Sequence, residues 1–336
     1  MFAEAAEGSA AVARFLAHNR QALASLGQVL RERRPGLVVS CARGSSDHAA
    51  TYAKYMIETR LGVPTSSAAL SVASIFAAPV ASEGCRSVCI AISQSGRSPD
   101  LLAAVAAHRA AGALTIALVN DEGSPLAAAV DVLLPLKAGP ELSVAATKSY
   151  IVALAAIAAL VGEWAEDGDL ADAVRALPEQ LDRAFALDWS AALSLADEDR
   201  SWFVLGRGHG YGIAQEAALK LKETCGIHAE SFSAAEVRHG PMAIVGEGFP
   251  ILAFATGDET GQGVRDVASE FRRRGARVAL ADAAGGPDAL PAIATLPALE
   301  PILLVQSFYR YANALSIARG LDPDVPPHLK KVTSTK

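Results

Sequence analysis

The chain has 336 residues, 36 of them acidic and 30 basic, for a net charge of −6, and 51% of its residues are hydrophobic. At roughly 150 residues per domain this length fits about two domains with cores of their own, and the apolar share excludes a disordered chain. An acidic chain without a dense Lys/Arg block is a poor fit to nonspecific nucleic-acid binding, which works by neutralising many phosphates. A small anion held by hydroxyls and helix N-termini stays open.

The N-terminus carries acids from the start and shows no basic stretch leading into an apolar run, so no secretory signal is expected and a cytoplasmic location is. Residues 1–27 are predicted to be a helical segment. Beyond them, short apolar runs of strand length alternate with alanine-rich helical stretches, the pattern of βαβ units and a parallel sheet covered on both faces. GLVVSCARG (Gly36 to Gly44) finds a counterpart in WFVLGRG (Trp202 to Gly208), and the shared Arg-Gly pairs lie 164 residues apart. SVCIAISQSG, ending at Gly96, answers to FPILAFATG, ending at Gly257, at an offset of 161. Matched strand-to-turn segments at nearly constant offset signal an internal repeat. The expectation is therefore an α/β chain of two doubly wound parallel-sheet domains in tandem. They are placed at residues 28–165 and 190–325, with a charged helical linker at 166–189. The most apolar stretch, Tyr150 to Gly162, is too short to cross a bilayer and is expected to be a buried helix, so no membrane partner is expected. Cys41, Cys85, Cys89 and Cys225 are neither dense nor paired as CxxC, and are expected to be reduced, packed thiols. The segment 326–336 follows a proline cluster that stops any helix, and is expected to be an extended tail.

Gly44-Ser45-Ser46 follows a predicted strand and opens a predicted helix over Asp47 to Arg60. Ser93-Gln94-Ser95-Gly96-Arg97-Ser98 follows the next strong strand and precedes a helix around Asp100 to Ala111. In an open parallel sheet both turns fall at the carboxyl ends of strands, where ligands bind. Serine and glycine also simply cap helices, but two serine-rich turns on adjacent strands point to an anion. No GxxxxGK[ST] is present, so this is not a P-loop. A third turn, Gly139 to Lys148, leads into the apolar helix and contains Val144, with Thr147 as a helix cap.

The second copy has the acid–base candidates. In QEAALKLKETCGIHAESFSAAEVRHGP, Lys220 and Glu223 are three apart and share a helix face, which in isolation reads as an exposed ion pair. The same stretch supplies His228, Glu230, Glu236 and the turn His239-Gly240-Pro241. His18, His108 and His209 carry no assigned role. No two of these residues have convincing metal-ligand spacing on one element, and neither a metal nor a cofactor is implied.

SQSGRSPD, AALKLKE followed by GIHAE, VRHGP and the closing PPHLKKV, in that order, resemble the sugar isomerase (SIS) family, in particular the isomerase half of glucosamine-6-phosphate synthase and its stand-alone relatives. The resemblance runs from about Gly36 to Lys331 and implies two doubly wound SIS domains. It implies that Gly44, Ser45, Ser46, Ser93, Gln94, Ser95, Ser98 and Val144 hold a sugar phosphate, and that Glu223 moves a proton between C1 and C2. His239 corresponds to a ring-opening histidine that the family supplies from the neighbouring subunit, so a homodimer with shared active sites is implied. Lys331 corresponds to a Schiff-base lysine and Lys220 to a residue supporting the base. Ala146 stands where the synthase commonly has serine, and Arg97 where it has an acid.

These residue types suit the chemistry. A histidine titrating near neutrality can open a sugar ring, and a carboxylate beside C1 and C2 can lift a carbon-bound proton and return it to the neighbouring carbon. A lysine amine can form an iminium, while the phosphate supplies remote binding energy. Only some 27 residues precede the first copy, so no glutamine-hydrolysing domain is expected. The expected reaction is glucosamine 6-phosphate plus water to fructose 6-phosphate plus ammonia. Alternatives using the same constellation are a deglycase of a fructosamine 6-phosphate, a galactosamine-6-phosphate deaminase/isomerase, and a glutamine-independent synthase running in reverse. A non-catalytic phosphosugar sensor is the alternative of another class; the joint presence of Glu223, His239 and Lys331 favours an enzyme.

Overall fold

Runs of β-branched and small apolar residues form the strands, and every ladder between strands in the described chain is parallel. The computed structural model describes residues 1–81, 86–196 and 201–331; Cys85 and tail residues 332–336 lie outside the described residues. Two compact units divide the chain: one takes Ala10–Glu141 and Lys148–Arg175 with the tail from Lys330, the other Met1–Ser9, Leu142–Thr147 and Ala176–Leu329.

The first unit is built on β1 (Leu37–Cys41), β2 (Thr65–Ser67), β3 (Ser87–Ser93), β4 (Leu114–Val119) and β5 (Val132–Pro135), in the order β2-β1-β3-β4-β5. In chain order the helices up to the second sheet are α1 (Phe2–Ala6), which belongs to the other unit, α2 (Gly8–Arg33), α3 (Ser45–Leu61), α4 (Leu70–Ser74), α5 (Pro99–Ala110), α6 (Pro125–Ala129), α7 (Lys148–Ala165) and α8 (Gly168–Ala186), which runs across the division at Arg175. One sheet face presents Cys41, Cys89, Ala91, Ala117 and Val119 to Leu70 of α4, Leu101, Ala104 and Val105 of α5, and Leu126 of α6. Strand alternation turns Val88, Ile90, Ile92, Ile116 and Leu118, all buried, to the opposite face. There α3 packs against the sheet and against α7.

The second unit repeats the plan. Its strands are β6 (Ser201–Gly206), β7 (His228–Ser233), β8 (Pro250–Ala255), β9 (Arg277–Asp282) and β10 (Ala289–Leu290), in the order β10-β9-β8-β6-β7. Read from the other edge, this is the first sheet's order. The helices α9 (Tyr211–Cys225), α10 (Glu259–Arg273) and α11 (Glu300–Ala318) take the places of α3, α5 and α7. Phe203, Leu205, Ile251, Ala253 and Ala255 face Val264, Val267, Ala268 and Phe271 of α10. Phe254, on the other face, meets Phe308 of α11 edge-on at 6.0 Å between ring centroids. The repeat expected from the sequence is thus a repeat of topology, and two doubly wound α/β domains are present.

Two expectations change in detail. The first helix ends at Ala6 and α2 runs to Arg33, in place of a single helical segment over residues 1–27. The apolar stretch at Tyr150 to Gly162 is the middle of α7, an 18-residue helix that is long and apolar enough to cross a membrane, with 89% of it buried inside the protein. Its hydrophobicity on every side is that of a core helix packed in protein. Cys41, Cys89 and Cys225 are free and buried, as small apolar side chains.

Gly96 shapes the turn after β3. Its φ is +63°, and a Cβ there would lie 2.3 Å from Ser124 Oγ and 2.9 Å from Val119 Cγ2. Gly96→Ala is expected to destabilise the fold by about 1–3 kcal/mol, seen as a lower urea midpoint at constant m value. An unchanged midpoint would show that this turn can shift freely.

Candidate functional site

In the first unit the sheet grows to both sides of β1 and β3, so the turns after these strands flank the crevice at the topological switch point. Both predicted serine turns are there. Gly44 opens α3 with φ 55° and ψ −132°, and makes no side-chain cap. Ser98 occupies the N-cap of α5 and its hydroxyl also makes no cap bond. Neither helix end is closed by its own N-cap side chain, although the Leu101 amide of α5 donates to Asp100 at 2.8 Å and the Ser46 and Asp47 amides of α3 donate to the Arg43 and Gly44 carbonyls, so the dipoles' positive ends are only partly satisfied. Ser45, Ser46, Gln94, Ser95 and Ser98 are partly exposed and Gly44 is exposed. Ser93 differs: it is buried, and its Oγ accepts the Gly96 amide at 2.9 Å, so its hydroxyl shapes the turn. Arg97, beside this turn, donates to Asp121 at 2.7 Å, and that hydrogen bond holds the Asp121 carboxyl below the usual carboxylate range.

The Gly139–Lys148 loop is anchored at Glu141. Its buried carboxylate accepts the Ser149 amide at 3.1 Å and the Ser149 hydroxyl at 2.6 Å, and it receives Lys331 Nζ at 3.5 Å. The predicted Schiff-base lysine is therefore paired with a carboxylate that also stabilises the start of α7. Val144 is partly exposed, and its amide donates to the Asp324 carbonyl at 3.2 Å in the second unit.

The acid–base group of the second unit lies on α9. Lys220 Nζ is 2.7 Å from Glu223 Oε2 and 3.2 Å from Glu216 Oε1, and Tyr309 of α11 donates its hydroxyl to the same Glu216 oxygen at 2.9 Å. Lys220 and Glu216 are buried while Glu223 keeps 22% of its side chain exposed. Burial would depress the Lys220 pKa, but the two carboxylates outweigh it and the pKa is raised, so the ammonium form persists. The sequence expectation of an exposed ion pair is corrected here. Because α11 covers this face of α9, the pair is a buried group with one carboxylate edge reaching solvent. That edge is a positioned proton acceptor. Glu216, missed by sequence reasoning, stands four residues before Lys220 on the same helix face, a spacing that could have revealed it. Tyr309, 93 residues away along the chain, left no such signal.

His239 follows a short 3₁₀ turn, Glu236–Arg238, and its exposed imidazole makes no side-chain hydrogen bond among the described residues. The structure thus joins Lys220 to Glu223 but gives His239 and Lys331 other surroundings. A depression of about 690 Å³ lined by Arg14, His18, Asn120 and Lys137 contains none of the predicted site residues.

The turn after β8, one of the two switch-point turns of the second unit, is closed from within. Asp258 Oδ1 accepts the amides of Thr260 and Gly261, both at 3.1 Å, and the hydroxyls of Thr256 and Thr260 at 2.7 and 2.6 Å, capping α10. Glu300 accepts the Gly257 amide at 2.6 Å. Asp258 thus caps α10 with its own side chain, whereas Gly210, the N-cap of α9, makes no side-chain cap.

Comparison with known proteins supports one lineage for both units. The SIS domain model matches residues 35–162 and 194–317. The glutamine–fructose-6-phosphate aminotransferase (isomerizing) of Methanothermobacter thermautotrophicus is 34% identical over 308 residues, covering 89% of this chain and 51% of that protein. The chain thus spans about half the length of that relative. The crystal structure of a candidate phosphosugar isomerase from Silicibacter pomeroyi DSS-3 superposes with a TM-score of 0.91 at 42% identity, covering 96% of this chain and 99% of that one. A glucosamine-6-phosphate deaminase from Thermotoga maritima shares the fold, with a TM-score of 0.74 at 23% identity over 97% of this chain and 100% of that one.

Two stability outcomes follow from this electrostatics. Lys220→Met leaves the buried Glu216 carboxylate without its cation and should cost about 3–5 kcal/mol in urea unfolding, and adding Glu216→Gln should recover much of that loss. A double variant no more stable than the single would mean that the charge balance is unimportant. Burial opposes ionisation of Asp258, but its hydrogen bonds from Thr260, Thr256 and Gly261 win and hold its carboxyl below the ordinary value of 3.8. This stabilisation is therefore present above pH 3.8 and lost as the pH falls through the folded-state value. At neutral pH Asp258→Ala should cost about 0.5–2 kcal/mol, a gap that narrows in acid; a gap independent of pH would contradict the ionised cap.

Proposed function

We propose, from the premise that this chain belongs to the SIS-domain family through both of its domains, that it is an amino-sugar-phosphate isomerase and deaminase. The reaction is glucosamine 6-phosphate plus water to fructose 6-phosphate plus ammonia. The observation that carries this proposal is the Glu223 carboxylate, partly exposed and fixed at 2.7 Å by a buried ammonium that Glu216 balances from behind. A base held in one rotamer on a rigid helix suits the transfer of a proton between adjacent carbons.

Ser46, Ser95, Ser98 and Gln94 bind the phosphoryl group at the two helix starts, with Ser93 shaping the turn. His239, supplied by the second subunit of a homodimer, protonates the ring oxygen as the anomeric hydroxyl loses its proton, opening the ring. Glu223 removes the proton from C2 and delivers it to C1, which leaves an imine at C2 and a hydroxymethyl group at C1. Water adds to the imine carbon and ammonia departs, giving the ketose. Lys331 exchanges for ammonia at C2 through its amine, a role that the Glu141 carboxylate 3.5 Å from its Nζ supports as an acceptor for the proton this amine loses. The name of the aminotransferase relative, which includes fructose 6-phosphate, supports this substrate class.

Ammonia release should be measured with glucosamine 6-phosphate, galactosamine 6-phosphate and fructoselysine 6-phosphate. Glucosamine 6-phosphate is the expected substrate, and release of an amino acid from the third compound in place of ammonia would identify a deglycase. Glu223→Gln should lower kcat by about 10²–10⁴-fold with little change in binding of the sugar phosphate. Normal turnover by Glu223→Gln would overturn the assignment.

A further inference from the structure

We propose that Arg43 is a phosphate-binding arm of the first unit's crevice, held in position by Asp100. This rests on the assignment of that crevice to the phosphosugar's phosphoryl group. Arg43 lies between β1 and α3, where its carbonyl accepts the Ser46 amide at 3.1 Å. Its side chain crosses to the first turn of α5, and there Nε and Nη2 donate to Oδ2 of Asp100 at 3.0 and 2.8 Å. A single guanidinium therefore links the starts of the two helices that flank the crevice.

The pairing is uneven in a way that suggests its purpose. The Asp100 side chain is 0% exposed and its other oxygen accepts the Leu101 amide at 2.8 Å, whereas the Arg43 side chain is 54% exposed. A carboxylate buried this close to an anion site would by itself repel the ligand. Arg43 cancels that charge while keeping half its own surface open. A guanidinium has five N–H donors, of which Asp100 engages one on Nε and one on Nη2. Arg43 makes no other side-chain hydrogen bond among the described residues, so the Nη1 pair is left for a ligand. Ordering a long side chain costs conformational entropy, and the buried Asp100 anchor meets that cost before the ligand arrives. Arginine suits both tasks because its planar fork can hold a carboxylate along one edge and a phosphoryl oxygen along another, which a lysine ammonium cannot do with fixed geometry.

The full-length protein and three variants, Arg43→Ala, Arg43→Lys and Arg43→Ala/Asp100→Asn, should be titrated calorimetrically with inorganic phosphate, alongside thermal unfolding and ammonia-release kinetics. Arg43→Ala removes a guanidinium from the buried Asp100 carboxylate and should be less stable, while the double variant should regain stability. If Arg43 binds phosphate, the refolded double variant still binds it at least about tenfold more weakly than wild type. The kinetic effect then falls on KM rather than kcat, and Arg43→Lys is intermediate. A double variant that binds phosphate as tightly as wild type would show that Arg43 only neutralises Asp100, and would overturn the proposal while leaving the phosphate site intact. Wild-type protein that fails to bind phosphate would remove the site assignment itself, and this inference with it.

Discussion

A parallel sheet that grows to both sides of its first strand sends neighbouring connections to opposite faces, and the chemistry of both units depends on the gap that results. Here the gap falls between β1 and β3 in one unit and between β6 and β8 in the other. It exists before any side chain is chosen, because it follows from strand order alone. What side chains decide is how the helix ends around it are satisfied. In the first unit Gly44 and Ser98 leave them uncapped, while in the second Asp258 and Glu300 supply carboxylates of the chain. The same backbone plan thus leaves the N-cap of α5 without a side-chain bond in one copy and caps its counterpart α10 with Asp258 in the other.

Buried carboxylates with a cation within reach recur beside several of the candidate site residues. Asp100 has Arg43, Glu141 has Lys331, and Glu216 has Lys220. In each pair the carboxylate is the more deeply buried or equally buried member. A buried charge without a partner costs several kcal/mol, so removing either member is far more damaging than the modest net value of an intact pair suggests. The buried acid therefore serves as a fixed mount for a longer, otherwise mobile cation. For Lys220 the mount is doubled, with Glu216 four residues before it and Glu223 three residues after, and only the second carboxylate reaches solvent.

The tandem architecture was legible in the sequence because a repeated strand-to-turn signal is local and the repeat preserves it. The serine turns were legible for the same reason, since glycine and hydroxyl residues at strand ends have few structural uses. Burial was harder to read. Lys220 and Glu223 reveal their shared face by spacing, but that this face is covered depends on α11, about 90 residues later, whose Tyr309 carries no mark in its own neighbourhood. The contact between Glu141 and Lys331 spans 190 residues and arises from the return of the tail, which no period in the sequence encodes. Ser93 was grouped with its neighbours Ser95 and Ser98 by the family resemblance and its place after a strand, and the Gly96 amide donated to its Oγ shows a part in shaping the turn that neither signal carries. In α7, apolar composition indicated burial correctly while the helix limits at Lys148 and Ala165 came from packing on α3.

Net charge has little bearing on what the first crevice can hold. At physiological ionic strength, charges more than about 8 Å apart in water are largely screened, so most of the surplus acids on the surface do not act on a group in a crevice. The nearby terms are instead the helix ends after Gly44 and Ser98, the half-exposed Arg43 and the neutralised Asp100. These groups, with Asp47 in the first turn of α3, set the local field more than the net charge of −6 does. The second unit reverses the balance at the equivalent place, where Asp258 and Glu300 meet amide and hydroxyl donors. Two copies of one fold therefore differ in how corresponding helix starts are satisfied, Ser98 leaving α5 without a side-chain cap where Asp258 caps α10, with the strand order unchanged.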